Sequence, residues 1–371
     1  MAGLYIHIPF CKQKCTYCDF CSYPSEIQKA ELYFACLYKE LKHRANELKG
    51  KVINTIYFGG GTPSFVEPKY IYGALKQIYS CFTVKSDAEI TLEVNPGTIT
   101  EEKLKVYKNA GINRFSIGLQ SAKNETLRVV NRIHTVEDFK NAVTLLKDYN
   151  LSVDVMIGLP GEDLSDVLNS LELATSFKAV KHLSLYALKA EEGTPMFTKY
   201  LNGELLSDDE VAEIYESCCK FLKERGFNRY EVSNFCKDGY YSRHNLNYWK
   251  RGEYLGVGVG ASSFINGKRF TNAESIDDYA KCLLSNRFAE VFIEEVNLED
   301  AKGEYAMLAL RTSFGVNFNE YKKEFNSDFL VDFKEPIKKN KAYLDISEES
   351  IKIKDEYLYV QNSILVDFIN F

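Results

Sequence analysis

Three cysteines close to the start of the chain carry its first chemistry: Cys11-Lys-Gln-Lys-Cys15-Thr-Tyr-Cys18. Thiolates are the usual ligands of an iron–sulfur cubane, whose irons sit at the four corners of a tetrahedron. Three thiols on one short loop reach three corners and leave the fourth iron open to another ligand, which is a catalytic design rather than a structural one. Zinc is the rival metal for Cys-x2–4-Cys spacing. A closed zinc site needs a fourth ligand, usually from a second paired knuckle, and no such pair lies elsewhere in the chain. The bland reading is three unrelated buried thiols. Cys21 follows closely and reads as a fourth ligand, a spare or a redox neighbour.

The loop Gly59-Gly60-Gly61-Thr62-Pro63 follows an apolar run, where glycines let the backbone approach a ligand closely. It is no P-loop, since no Gly-Lys-Ser/Thr follows, and no Gly-x-Gly-x-x-Gly fingerprint. Glu93 and Asn95 share a strand face, so the carboxylate is placed to hold a ribose hydroxyl pair or to form a surface ion pair. Gln120 and Arg132 read, taken bare, as a loop amide and a solvated charge. Asp154 interrupts an apolar strand, and a charge there needs a partner or a lumen. Arg243-His244-Asn245-Leu-Asn-Tyr248-Trp249 holds the only tryptophan; bare, a histidine among aromatics is more often packed than a ligand.

These residues are positioned by a strand–helix alternation. Strands are predicted at Leu4–Ile8, Val52–Phe58, Glu89–Val94, Arg114–Gly118, Leu151–Ile157 and His182–Tyr186. The helices that follow them span about Glu26–Leu48, Pro68–Tyr79, Glu101–Ala110, Val136–Asp148, Leu164–Ser176 and Ser207–Glu224. Crossovers of that length imply a parallel sheet. The unusual residues cluster at strand C-terminal ends, which favours a partial (β/α)6 barrel over a doubly wound sheet. Predicted domains are 1–226, the barrel; 227–290, an edge extension with extended Phe227–Phe235, Leu255–Ala261 and Lys268–Thr271; and 291–371. The last, with helices Ala301–Thr312 and Asn319–Glu324 and paired strands Ile351–Lys354 and Tyr357–Val360, reads as a small winged-helix-like α+β domain. With 45% hydrophobic and 26% charged residues the chain is an ordinary globular protein, and its net charge of −6 argues against nucleic acid as a partner. No signal peptide and no apolar run of about 20 residues is present, which predicts a reducing cytoplasm; peripheral membrane contact is compatible with the composition.

The cysteine spacing with the glycine loop resembles the radical S-adenosylmethionine (SAM) superfamily. That resemblance implies a [4Fe–4S] cluster on Cys11, Cys15 and Cys18, with Cys21 outside the set, and SAM on the open iron. More closely, Tyr5-Ile-His-Ile-Pro-Phe-Cys11, Cys15-Thr-Tyr-Cys18-Asp-Phe20, Phe58-Gly-Gly-Gly-Thr-Pro63, Glu93-Val-Asn-Pro96, Ser116-Ile-Gly-Leu-Gln120 and Asp154-Val-Met-Ile-Gly-Leu-Pro160 resemble oxygen-independent coproporphyrinogen III oxidase and its relatives. This implies SAM contacts from Tyr5, Tyr17, Gly60, Gly61, Thr62, Glu93, Gln120, Arg132, Asp154 and Ala187. Two departures put porphyrinogen oxidation in doubt. The chain starts ten residues before Cys11, where the oxidase has a long extension, and Phe20 stands where the oxidase has a further cysteine. The His-Asn-x-x-Tyr-Trp pattern resembles the motif of HemW, the haem chaperone branch. Haem is then the cargo, docking near His244, Asn245, Tyr248 and Trp249, with His244 or a thiol such as Cys236 as axial ligand. The resemblance implies delivery to respiratory haemoproteins, at the membrane in some cases, and a link between the cluster and dimerisation or haem transfer. An anaerobic porphyrinogen dehydrogenase, or another radical SAM enzyme acting on a tetrapyrrole, is the alternative.

Overall fold

The computed structural model describes residues 1–369. Its main sheet carries β1 (Ala2–Ile8), β2 (Val52–Gly60), β3 (Thr83–Val94), β4 (Arg114–Gln120), β5 (Asn150–Ile157) and β6 (Val180–Ala187) in sequence order. Each is hydrogen-bonded in parallel to the next. Sequential order with no reversal is that of a barrel, not of a doubly wound sheet, and the (β/α)6 barrel stays open. β3 begins at Thr83 instead of Glu89, because its first residues are mostly exposed and carry no apolar alternation. The first long helix is narrower than predicted, Ala30–Arg44, with a 3-10 turn on each side. Helices Glu101–Ala110 and Leu164–Ser176 keep their predicted bounds, fixed at the start by Thr100 and by the Asp163/Asp166 capping box.

Side-chain alternation makes the barrel two-faced. Phe115, Ile117 and Leu119 of β4, Val153, Val155 and Ile157 of β5, and Leu183 and Leu185 of β6 are buried in the main apolar core. Their neighbours on the opposite face, Arg114, Ser116 and Gly118, then Ser152, Asp154 and Met156, then His182, Ser184 and Tyr186, line an internal cavity. One strand therefore supplies both a core and a site.

Residues 227–295 serve both edges of this sheet, so the edge extension runs five residues past its predicted end at 290. β7 (Asn228–Arg229) and β8 (Asn234–Cys236) attach antiparallel on the β6 side. β9 (Tyr254–Val257) pairs in parallel with β1, and β10 (Ser262–Ile265), β11 (Lys268–Asn272) and β12 (Glu290–Glu295) continue antiparallel beyond it. The predicted extended run Leu255–Ala261 is broken after Val257, where Gly258 and Gly260 take φ of +105° and +63° and reverse the chain. The haem-motif segment is helical, Arg243–Trp249, capped by Ser242.

The C-terminal part runs helix Leu298–Leu310, strand β13 (Val316–Asn317), helix Phe318–Phe325, short helices Phe329–Asp332 and Lys334–Lys339, then hairpin β14 (Leu344–Ile346) and β15 (Ser350–Ile353). That is a winged-helix-like order over a small antiparallel sheet with its own core of Leu310, Tyr321, Phe329, Phe333, Ile351 and Phe368. The predicted strand Tyr357–Val360 is not formed. β15 pairs with β14, closed by Ser347 and Ser350 at 2.9 Å, while Leu358 is buried in the small core instead of lying in the sheet.

Candidate functional site

The loop leaving β1 brings Cys11, Cys15 and Cys18 to the wall of a cavity of about 330 Å³. Tyr17, Gly60, Gly61, Thr62, Glu93, Gln120, Arg132 and Asp154 line the same cavity. Thr62 Oγ1 donates to Cys11 Sγ at 3.5 Å and Arg132 Nη1 to Cys15 Sγ at 3.8 Å. Donors aimed at sulfur favour the thiolate that a metal needs. Burial acts the other way and pushes the Cys11 and Cys18 thiols up. Among the described residues no three His, Cys, Asp or Glu side chains converge as the ligands of a single ion would. A cubane takes one thiolate at each iron, so three thiols on the wall of one cavity supply the donor type for three of its corners.

The glycine loop is pinned to the cysteine loop: Gly61 N donates to Ile8 O and Thr62 N to Phe10 O, both at 2.8 Å. Gly60 sits at φ +110°, and a Cβ there would lie 2.4 Å from the His7 ring. Only glycine fits. Glu93 accepts from Tyr57 Oη at 2.8 Å and from Gly60 N at 3.2 Å. Burial raises its pKa to about 7 against the pull of the Tyr57 hydrogen bond, and the Asp154 charge adds to the rise. Asp154, also raised by burial, accepts from Ser116 Oγ at 3.3 Å. Gln120, in the cavity wall, holds a left-handed φ of +66°, a strained conformation of the kind that collects at ligand sites. Two half-buried acids beside Arg114 and Arg132 make a site for a ligand carrying both signs of charge. The Nε atoms of both arginines and Asn95 Oδ1 have no protein partner, leaving them to such a ligand.

Two residues predicted to contact SAM, Ala187 and Tyr5, are not among those lining this cavity. Ala187 ends β6 exposed, with Tyr186 in the cavity wall in its place. Tyr5, its hydroxyl 3.1 Å from His7 Nδ1, faces a neighbouring, larger cavity. Sequence reading missed Arg114, Ser116, Ser152, His182, Ser184 and Tyr186. The signal was present in part: Arg114, Ser116 and Gly118 of β4, Ser152 and Asp154 of β5, and His182 and Ser184 of β6 alternate with mostly apolar neighbours.

Residues 5–174 match the model of the Radical SAM superfamily. Heme chaperone HemW of Buchnera aphidicola subsp. Schizaphis graminum is 34% identical over 92% of this chain and 96% of its own. Heme chaperone HemW of Bacillus subtilis is 32% identical, over 88% and 87%. The chain belongs to the HemW family. The match to the Radical SAM superfamily model implies a [4Fe–4S] cluster and SAM, which the donor set of the smaller cavity fits. Among solved structures, coproporphyrinogen III oxidase (HemN) from Escherichia coli, a radical SAM enzyme, overlays with a TM-score of 0.85. It covers 99% of this chain and 89% of its own at 21% identity, a likeness of fold.

In this HemW-family chain the His-Asn-x-x-Tyr-Trp residues do not share one surface. His244 is buried, with Nδ1 2.8 Å from Thr55 Oγ1 and Nε2 2.8 Å from Tyr248 Oη, and its ring stacks on Tyr57 at 5.1 Å. Burial lowers its pKa to about 3, so it stays neutral. It lines neither cavity. Asn245 reaches the smaller cavity, Tyr248 the larger, and the half-buried Trp249 neither. Cys236 is buried in β8, opposite His182 of the adjacent β6. Cys21 faces the larger cavity, away from the other three cysteines, its thiol 3.3 Å from Tyr23 Oη. Among the described residues no helix is long and apolar enough to cross a membrane.

Proposed function

We propose that this protein is a haem chaperone: it binds haem and passes it to acceptor haemoproteins, respiratory ones first among them, while carrying a [4Fe–4S] cluster and SAM. The observation that carries this reading is near full-length similarity to proteins named haem chaperones, in a chain whose barrel offers a donor-lined cavity beside a larger, aromatic one. Cys11, Cys15 and Cys18 hold the cluster. When bound and reduced, such a cluster supplies an electron for cleavage of SAM. Gly60, Gly61 and Thr62 meet the amino acid end of SAM, Arg132 its carboxylate, and Glu93 and Asp154 its hydroxyl and cationic groups. Tyr17 and Gln120 close the mouth. His244, Asn245, Tyr248 and Trp249 organise the haem side. The reading extends to a cytoplasmic, membrane-peripheral protein that pairs as a homodimer, for which size-exclusion chromatography with and without reconstituted cluster is the direct check.

A paired anaerobic assay on the reconstituted protein tests the function. One arm titrates haem and follows the Soret band; the other supplies coproporphyrinogen III, SAM and reductant. Stoichiometric haem binding without turnover is expected. Formation of protoporphyrinogen IX with weak haem binding would make the protein a porphyrinogen dehydrogenase instead.

A further inference from the structure

The larger cavity, about 680 Å³, lies beside the cysteine-lined one and shares Asp19, Phe20, Gly60 and Glu93 with it. Its size falls within the range of small-molecule and cofactor sites. Aromatic side chains form much of its wall. Tyr248 meets Tyr254 edge-on at 4.6 Å, and Phe264 lies beneath two guanidinium groups, with Arg251 Cζ at 4.6 Å and Arg269 Cζ at 5.6 Å from its ring centroid. Phe20 is 63% exposed and lines both cavities, so its ring is free to meet a ligand in either.

The charges are equally specific. Arg251 Nε and Arg269 Nη2 converge on one carboxylate, Glu304, at 2.9 and 2.8 Å, and Arg269 also reaches the more exposed Glu294 at 3.0 Å. Glu304 sits on helix Leu298–Leu310, which also contributes Leu308 to the cavity wall. The Arg251 side chain is only 10% exposed, so a carboxylate bound there is weakly screened by solvent. Paired, forked donors over an aromatic ring suit a ligand that is flat, apolar in its body and twice carboxylated at one edge.

We propose that this cavity seats the haem cargo, with Arg251 and Arg269 binding its two propionates in place of Glu304 and the macrocycle lying among Phe264, Tyr248 and Tyr254. The assignment rests on the haem-chaperone reading and adds to it where the cargo sits and what releases it. Loading exchanges an internal carboxylate for those of the ligand and loosens the tie to the C-terminal helix; unloading restores it. His244 acts as a positioning residue, fixing the Tyr248 hydroxyl from behind the wall.

Full-length protein is titrated with iron protoporphyrin IX and with its dimethyl ester, which keeps the macrocycle and loses both anionic groups. The wild type is expected to prefer the free acid by about tenfold or more, as loss of charge-assisted pairs dictates. The Arg251→Gln/Arg269→Gln protein loses that preference and still binds the ester. Glu304→Gln, which removes the competitor and spares both arginines, binds the free acid more tightly than wild type. Its affinity keeps the test decisive should the double variant fold poorly. Equal affinity of the wild type for acid and ester, or a Glu304→Gln protein that binds haem no better, would overturn this placement while leaving the chaperone reading intact. No Soret shift at all with wild type would overturn the chaperone reading itself.

Discussion

The two cavities stand side by side and are built in opposite ways. The smaller is walled by the inward faces of consecutive parallel strands and by two loops that leave them, Cys11–Cys18 and Gly59–Pro63. Its polar groups come from short, local motifs. The larger draws Tyr5 and His7 from β1, Tyr248, Arg251 and Tyr254 from the segment entering β9, Phe264 and Arg269 from the antiparallel edge, and Leu308 from the C-terminal helix. No two of those later groups form a motif. A site of reactive chemistry needs groups fixed by the most rigid part of the fold. A site that takes up and releases cargo is better made from an added edge and a helix held by ion pairs, which are exchangeable.

The largest expected effect separates the two. Cys15→Ala is expected to abolish iron and sulfide incorporation on reconstitution and SAM binding with it, while the haem Soret shift persists, because none of Cys11, Cys15 and Cys18 lines the larger cavity. Loss of haem binding together with the cluster would merge the two sites into one. Gly60→Ala strikes the shared wall. Its new Cβ would lie 2.4 Å from the His7 ring at a left-handed φ, so denaturant unfolding should show a loss of about 2–4 kcal/mol and both ligands should weaken. An unchanged midpoint would mean that the loop relaxes freely.

His244 sharpens the haem side. His244→Ala leaves Thr55 and Tyr248 without their partner in a buried setting and is expected to lower stability by about 1–3 kcal/mol. If His244 works through Tyr248, then His244→Ala and Tyr248→Phe weaken haem binding non-additively in a double-mutant cycle. Abolition of binding by His244→Ala alone, with Tyr248→Phe silent, would instead make the imidazole a direct ligand.

The gentlest effect concerns Glu93. The folded protein holds its proton up to about pH 7, whereas the unfolded chain releases it near 4.5. The fold thus binds more protons across that window, and stability of the ligand-free protein falls as pH rises through it, by at most about 1.4 kcal/mol per pH unit. Glu93→Gln should flatten the slope in part, the remainder coming from Glu162, also raised to about 7 by burial. A slope unchanged in Glu93→Gln would show that the carboxyl is ionised throughout. SAM, whose cationic groups favour the carboxylate, should bind more weakly below pH 7 in the wild type only.

Much of the barrel was written locally. Period-two alternation marks β4, β5 and β6, and capping residues such as Thr100, Asp163 and Ser207 mark helix starts, because both signals are carried by residues a few positions apart. The cysteine and glycine loops were legible for the same reason. Short helices such as Pro195–Leu201 and Arg243–Trp249 were not, since stretches of seven residues have little periodicity of their own and are held by tertiary packing. Tyr357–Val360 shows the converse: a β-prone run that the small core claims for Leu358.

The amino-acid sequence by itself determined the order of the six barrel strands, the three-cysteine loop, the glycine loop beside it and the family to which the chain belongs. Each depends on residue type and short spacing, which chain geometry converts directly into position. Only the tertiary structure decided that Cys21 parts company with its neighbours, that His244 is walled in by Thr55, Tyr57 and Tyr248, and that Arg251 and Arg269 meet over Glu304. Most of those relations join residues tens to hundreds of positions apart, such as His244 with Thr55 and Arg251 with Glu304, and they come into being only when the strand edges pair and the C-terminal helix packs against them.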